Sequence, residues 1–220
     1  LALVGLAGSV AILVRQGVLS VEAVTSAFSW VYLIVVIAFF TWLFMAGQWT
    51  KEERKRLIVI VVLFAGAAVF WSAFEQAAST LNLFAAQNTR NSIFGWTFPS
   101  SWFQSVNALM IIIFAPVFAW IWISLGKRDP SSPAKFAFGL VSVGLGFVVM
   151  VGAAQASANG VLVSPMWLVL TYLLHTIGEL SLSPVGLSSM TKLAPDRVKG
   201  MMMGVWFLAA SVGNLIAGGV

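Results

Sequence analysis

Apolar runs of about 20 residues, each long enough to cross a bilayer, follow one another from end to end of this chain. That pattern leaves few folds open. In hydrocarbon no water satisfies backbone N–H and C=O groups, so a spanning segment is either a helix or a strand of a closed barrel. Barrel strands alternate apolar and polar residues. These blocks do not alternate, so the chain reads as all-α, a polytopic transmembrane helical bundle. Only 9% of its residues are charged, against ~25% in an average globular domain. There is no Cys, which excludes disulfides and thiolate metal sites. A single His excludes a zinc centre built from several histidines. No metal or cofactor is expected.

Seven helical segments are expected. They cover about residues 1–14, 24–46, 57–84, 102–125, 134–154, 165–193 and 198–220. The links are RQGVLS, the charge cluster KEERKR at 51–56, a polar stretch at 85–101, the Pro/Ser turn GKRDPSSP at 126–133, QASANGVLVS and APDRVKG. The chain opens at Leu1 without Met and stops at Val220 inside an apolar run. We read it as part of a longer protein whose start, and any signal peptide, lie upstream.

The distribution of basic residues gives the orientation. Lys51, Arg54, Lys55 and Arg56 lie between the second and third segments. Lys127, Arg128 and Lys135 lie between the fourth and fifth, and Lys192, Arg197 and Lys199 between the sixth and seventh. These alternate loops hold ten of the twelve basic residues and leave only Arg15 and Arg90 opposite. Short cytoplasmic loops are enriched in Lys and Arg, so this face is read as cytoplasmic. A bacterial inner membrane is the simplest home. The net charge of +5 is thereby explained without nucleic acid.

Only two of the seven acidic residues fall well inside spans, Glu75 and Glu179. A charge in lipid costs about 2.5–3.5 kcal/mol on insertion scales, and such residues mark ion or substrate paths. Glu179 lies in TYLLHTIGELSLSPVGLSSMT, with no Lys or Arg within a turn or two. Its expected use is binding a cation or a proton. Ser183, one turn on, either bonds a substrate or bonds back to its own helix. His175, one turn back, either tunes Glu179 or is structural. Pro184 and Pro116 each remove a helix hydrogen bond and are read as hinges or cavity walls. Glu75 lies in FWSAFEQ, one turn after Trp71. The pair offers a cation-binding surface, or Trp71 packs between helices and Glu75 forms an ion pair with a residue outside this chain. Asn107 wants a partner in lipid, either another helix or a substrate. Trp206, in MMMGVWF, either packs or walls an adaptable pocket. Gly139, Gly144, Gly146, Gly178, Gly186, Gly200 and Gly204 are expected to admit close helix contact. No phosphate-cradling loop, Ser-His-Asp arrangement or nucleotide-binding domain is evident.

FWSAFEQ followed by GELSLSPVGLSSMTKLAP, Gly178 to Pro195, resembles the proton-coupled oligopeptide transporter family of the major facilitator superfamily. The resemblance covers most of the chain from about Arg56 onward. It implies that residues 1–50 are the two extra helices that bacterial members carry between their six-helix halves. Residues 51–220 are then a truncated C-terminal six-helix bundle, helices seven to eleven. By the same resemblance, Glu179 receives a peptide's free amino terminus and Asn107 assists it. Ser183 supplies a binding hydroxyl, and Trp71 and Trp206 wall side-chain pockets. Glu75 is a gate carboxylate that pairs with an arginine of the first half. The chain has Asn107-Ala108 where the family often has Asn-Pro. The family's ExxERFxYY stretch belongs to the first half, outside this sequence.

The implied function is proton-coupled symport of di- and tripeptides by alternating access, as part of a longer chain. Protons, peptides, the bilayer and the N-terminal half are the expected partners. Three alternatives stay open at this point. They are a related symporter of another small metabolite or anion such as nitrate, a membrane-embedded enzyme using Glu75 and Glu179 as an acid–base pair, and a structural membrane subunit. The missing nucleophile and metal cluster argue against the enzyme, and the two intramembrane acids argue against the structural subunit.

Overall fold

The computed structural model describes residues 20–218. Two compact units divide between Thr50 and Lys51. The first contributes α1, Val21–Ala46, capped by the Ser20 hydroxyl, which accepts from the Ala23 N–H at 3.0 Å. At its other end Trp49 folds back over Gly47 and its indole N–H donates to the Leu43 carbonyl at 2.6 Å. The segment expected at residues 1–14, and Arg15 with it, lies outside the described residues.

The second unit opens with α2, Lys51–Phe74, which gives way to a 3-10 turn, Glu75–Ala77, and a short α3, Thr80–Asn88. A two-residue-strand hairpin follows, β1 Ser92–Ile93 and β2 Trp96–Thr97, antiparallel with Ile93 opposite Trp96. Its turn, Phe94-Gly95, has positive φ at both residues, the twist that two-residue hairpin loops require. Then come α4 Phe103–Leu125, α5 Ser132–Ser157, α6 Met166–Leu193 and α7 Met202–Gly218. Among the described residues six helical stretches are long and apolar enough to cross a membrane.

Several boundaries differ from the sequence expectation. The charge cluster at 51–56 is not a loop but the first turns of α2. Glu52 and Glu53 occupy its first turn, where the helix dipole favours acids, and Lys55 pairs with Glu52 at 2.9 Å. The third segment breaks at Glu75 instead of running on to residue 84. Lys135, assigned to a loop, is helical and buried. Its ammonium meets Asp129 at 2.7 Å and sits 4.3 Å above the Trp122 ring. Those two partners let a charge lie at the mouth of the α4–α5 junction.

The most extensive helix pair is α5 with α6. Its seam is built from glycines. A Cβ on Gly139 would lie 2.8 Å from the Gly178 carbonyl oxygen, and one on Gly178 would lie 2.8 Å from the Gly139 oxygen. One heptad on, Gly146 leaves room for the His175 ring, and Thr171 donates to the Gly146 carbonyl at 3.3 Å. Small residues let backbones approach, which is how helices associate where lipid supplies no hydrophobic drive. Gly186 likewise admits Trp206 of α7, and Gly213 of α7 lies on Trp71 and Ala68 of α2. Gly144, Gly200 and Gly204 make no such contact, with nothing within 4 Å of an added Cβ. Large apolar side chains point outward instead: Ile112 is 72% exposed and Val148 65%.

At the end away from the basic loops, Leu81, Ala85, Phe103, Met150, Ala153, Leu168 and Tyr172 form a buried cluster joining α3, α4, α5 and α6. A parallel bridge between Thr89 and Val163 ties the two loops there. This closed end fixes where α4 and α6 stand, and so where their polar residues meet.

Candidate functional site

The site is assembled from α6 outward. Helical spacing puts Tyr172, Thr176, Glu179 and Ser183 on adjoining faces of one stretch of α6. The Thr176 hydroxyl, fully buried, donates back to the Tyr172 carbonyl at 2.8 Å. From α4, the Asn107 carboxamide nitrogen donates twice, to Thr176 Oγ1 at 3.0 Å and to Glu179 Oε2 at 3.2 Å. Asn107 and Glu179, singled out separately in the sequence, are thus in direct contact. Asn107 Oδ1 and Glu179 Oε1 take no hydrogen bond from a described residue.

Glu75 lies where α2 gives way to its 3-10 turn, within electrostatic reach of Glu179. Two side chains that carry no sequence signal of their own pin that turn. Gln76, buried, donates to the Ala217 carbonyl of α7 at 3.2 Å and accepts from the Ser79 and Thr80 hydroxyls at 3.0 and 2.6 Å. Tyr172 donates to the Ala77 carbonyl at 3.3 Å. These bonds hold the turn that carries Glu75 against both α6 and α7. Among the described residues neither Glu75 nor Glu179 has a basic partner, and no three His, Asp or Glu side chains gather as a metal site.

The remaining candidates are placed differently. The Ser183 hydroxyl is buried, one turn from Glu179, and makes no hydrogen bond with a described residue. Trp71 joins Phe70 and Phe74 in an aromatic group, with centroids 5.5 and 5.3 Å away, and its buried indole N–H is likewise unpartnered. Trp206 is 4% exposed, wedged over Gly186 and two turns of α6 beyond Glu179. The described structure does not bring it together with the acids. His175 lies between Phe74 and Phe147, at 6.1 and 5.3 Å, packed on Gly146. The sequence alone does not mark Thr176, because a Thr in a membrane helix usually bonds only to its own backbone. Its i−3 spacing from Glu179 was the available signal.

A helical bundle with glycine seams, six candidate spans and a part-buried amide–carboxylate pair defines a multi-pass membrane protein of the major facilitator type. A family model described as PTR2, POT family, matches residues 4–220. The chain belongs to the POT family. It is 48% identical over 212 residues to the peptide transporter YePEPT of Yersinia enterocolitica, covering 94% of this chain and 42% of that one. It is 36% identical over 188 residues to a di-/tripeptide transporter of Lactococcus lactis subsp. cremoris, covering 84% and 38%. Among solved structures it matches a peptide transporter POT in complex with sulfate, with TM-score 0.89, 42% identity, and 98% and 44% of the two chains covered. A POT family transporter in complex with a thioalcohol-conjugated peptide matches with TM-score 0.86 and 31% identity, over 99% and 46%. The chain thus spans less than half the length of the relatives it matches.

Proposed function

We propose that this chain is part of a proton-driven symporter of di- and tripeptides in a bacterial inner membrane, with the basic loops cytoplasmic. The observation that carries the reading is the Asn107–Glu179 pair, held in apolar spans with no basic partner among the described residues. A carboxylate so placed is poorly screened and favours a peptide ammonium or a proton. The names of its relatives supply the peptide. An anion such as nitrate would meet two carboxylates and no basic partner among the described residues.

In this reading residues 51–220 supply helices seven to eleven, and residues 1–50 the helix pair between the halves. Glu179 and Asn107 take the peptide's amino end, Ser183 offers its hydroxyl, and Trp71 and Trp206 wall side-chain pockets. The basic group for the peptide's carboxylate comes from the N-terminal half, as does the arginine that pairs with Glu75. Protonating Glu75 or Glu179 removes a charge, loosens the ion pair across the halves, and lets them rock about a midplane site.

The test uses the full-length protein in proteoliposomes under an imposed proton gradient. Dialanine accumulates with the native protein and does not with Glu179→Ala. Undiminished accumulation by that variant would remove the site assignment.

A further inference from the structure

The hydrogen bonds around Asn107 carry one step beyond the site itself, and the step rests on the peptide reading above. A threonine hydroxyl has one proton. In Thr176 it goes to the Tyr172 carbonyl at 2.8 Å. Thr176 Oγ1 therefore meets Asn107 as an acceptor, at 3.0 Å. Glu179, as a carboxylate, is acceptor-only too. Both neighbours demand N–H from the same carboxamide, so both of its donors are spent and Oδ1 is left as a free acceptor beside the acid.

We propose that Thr176 is a positioning residue for the amine receptor: its buried hydroxyl holds the Asn107 carboxamide with nitrogen toward Glu179 and leaves Oδ1 for the peptide ammonium. The receptor then offers two kinds of oxygen, one charged and one neutral, to a group with three donors.

The arrangement matters most when the proton arrives. A protonated Glu179 presents an O–H as well as lone pairs, so it no longer dictates which end of the amide faces it. Thr176 still does, because its own proton remains committed to the Tyr172 carbonyl. Without that hydroxyl, Asn107 is free to turn Oδ1 toward the protonated acid and lose it to the substrate. Thr176 therefore keeps the receptor open across the coupling step.

The experiment measures dialanine uptake by the full-length protein carrying Thr176→Val or Thr176→Ser, each checked for thermal stability. Thr176→Val is expected to raise KM about tenfold, the weight of one hydrogen bond to a charged group, with kcat within twofold. Thr176→Ser keeps the hydroxyl and restores KM. Competition by N-acetyl-dialanine, which has no ammonium, is unchanged in either variant. An unaltered KM in Thr176→Val, a loss confined to kcat, or an equal KM defect in a stably folded Thr176→Ser overturns the proposal. Glu179→Gln, run alongside, separates the two levels. If it leaves dialanine uptake intact, the peptide site itself is wrong. If it impairs uptake while Thr176→Val does not, only the positioning role falls.

Discussion

Replacing Gly178 by Ala tests the packing on which the site depends. The new methyl would lie 2.8 Å from the Gly139 carbonyl oxygen, 3.2 Å from Phe70 Cε2 and 3.4 Å from Ser142 Cβ. An ordinary C···O contact needs about 3.3 Å, so α5 and α6 must part by roughly half an ångström. The obstructing atom is backbone, so no rotamer change relieves it. Overpacking of this kind costs about 1–3 kcal/mol. At no more than about 2–4 °C per kcal/mol for a chain of this size, the apparent Tm of the purified full-length protein should fall by about 2–12 °C. Gly144→Ala, on the same α5 but with nothing within 4 Å, is the control and should lose nothing. Intrinsic fluorescence or light scattering during heating reads both. Equal shifts in the two variants, or none in Gly178→Ala, would refute the seam as described.

Three further outcomes are expected. Asp129→Ala leaves the Lys135 ammonium, with its side chain only 9% exposed, without a counter-ion, and should destabilise by about 3 kcal/mol. Lys135→Met leaves an acid that is still 35% exposed and should cost about 1 kcal/mol or less, so unfolding curves should rank the two clearly. Gln76→Ala removes the bond to the Ala217 carbonyl and strands the hydroxyls of Ser79 and Thr80; a Tm loss equivalent to about 1–3 kcal/mol is expected, and a neutral result would show that Glu75 does not need its turn pinned there. Glu75→Gln should impair gradient-driven uptake more than gradient-free exchange, and equal loss of both would count against a coupling role.

Much of this fold is legible in the sequence because length and polarity decide it locally. The apolar runs and the alternating basic loops require no partner to be read. Helix ends are less legible, since residues 51–56 extend α2 beyond the apolar run with charged side chains that are themselves good helix formers. Lys135 looked like a loop residue because its burial depends on Trp122 and Asp129, neither of them its helical neighbour. The seam glycines could not be told from Gly144, Gly200 and Gly204, because which side of a helix meets its partner is set by rotation and not by composition. Of the candidate site, the two acids and Asn107 stood out as polar residues in apolar surroundings. Gln76 did not, for its partner carbonyl lies 141 residues away. Thr176 did not, for its role exists only once α4 and α6 are side by side.

The glycine seam has a practical corollary. With backbone against backbone at Gly139 and Gly178, α5 and α6 are expected to move together as one plank. A spectroscopic reporter placed on the outward side of α5, at Val148 for instance, would therefore register whatever displacement the helix of Glu179 undergoes, without a label ever entering the binding region.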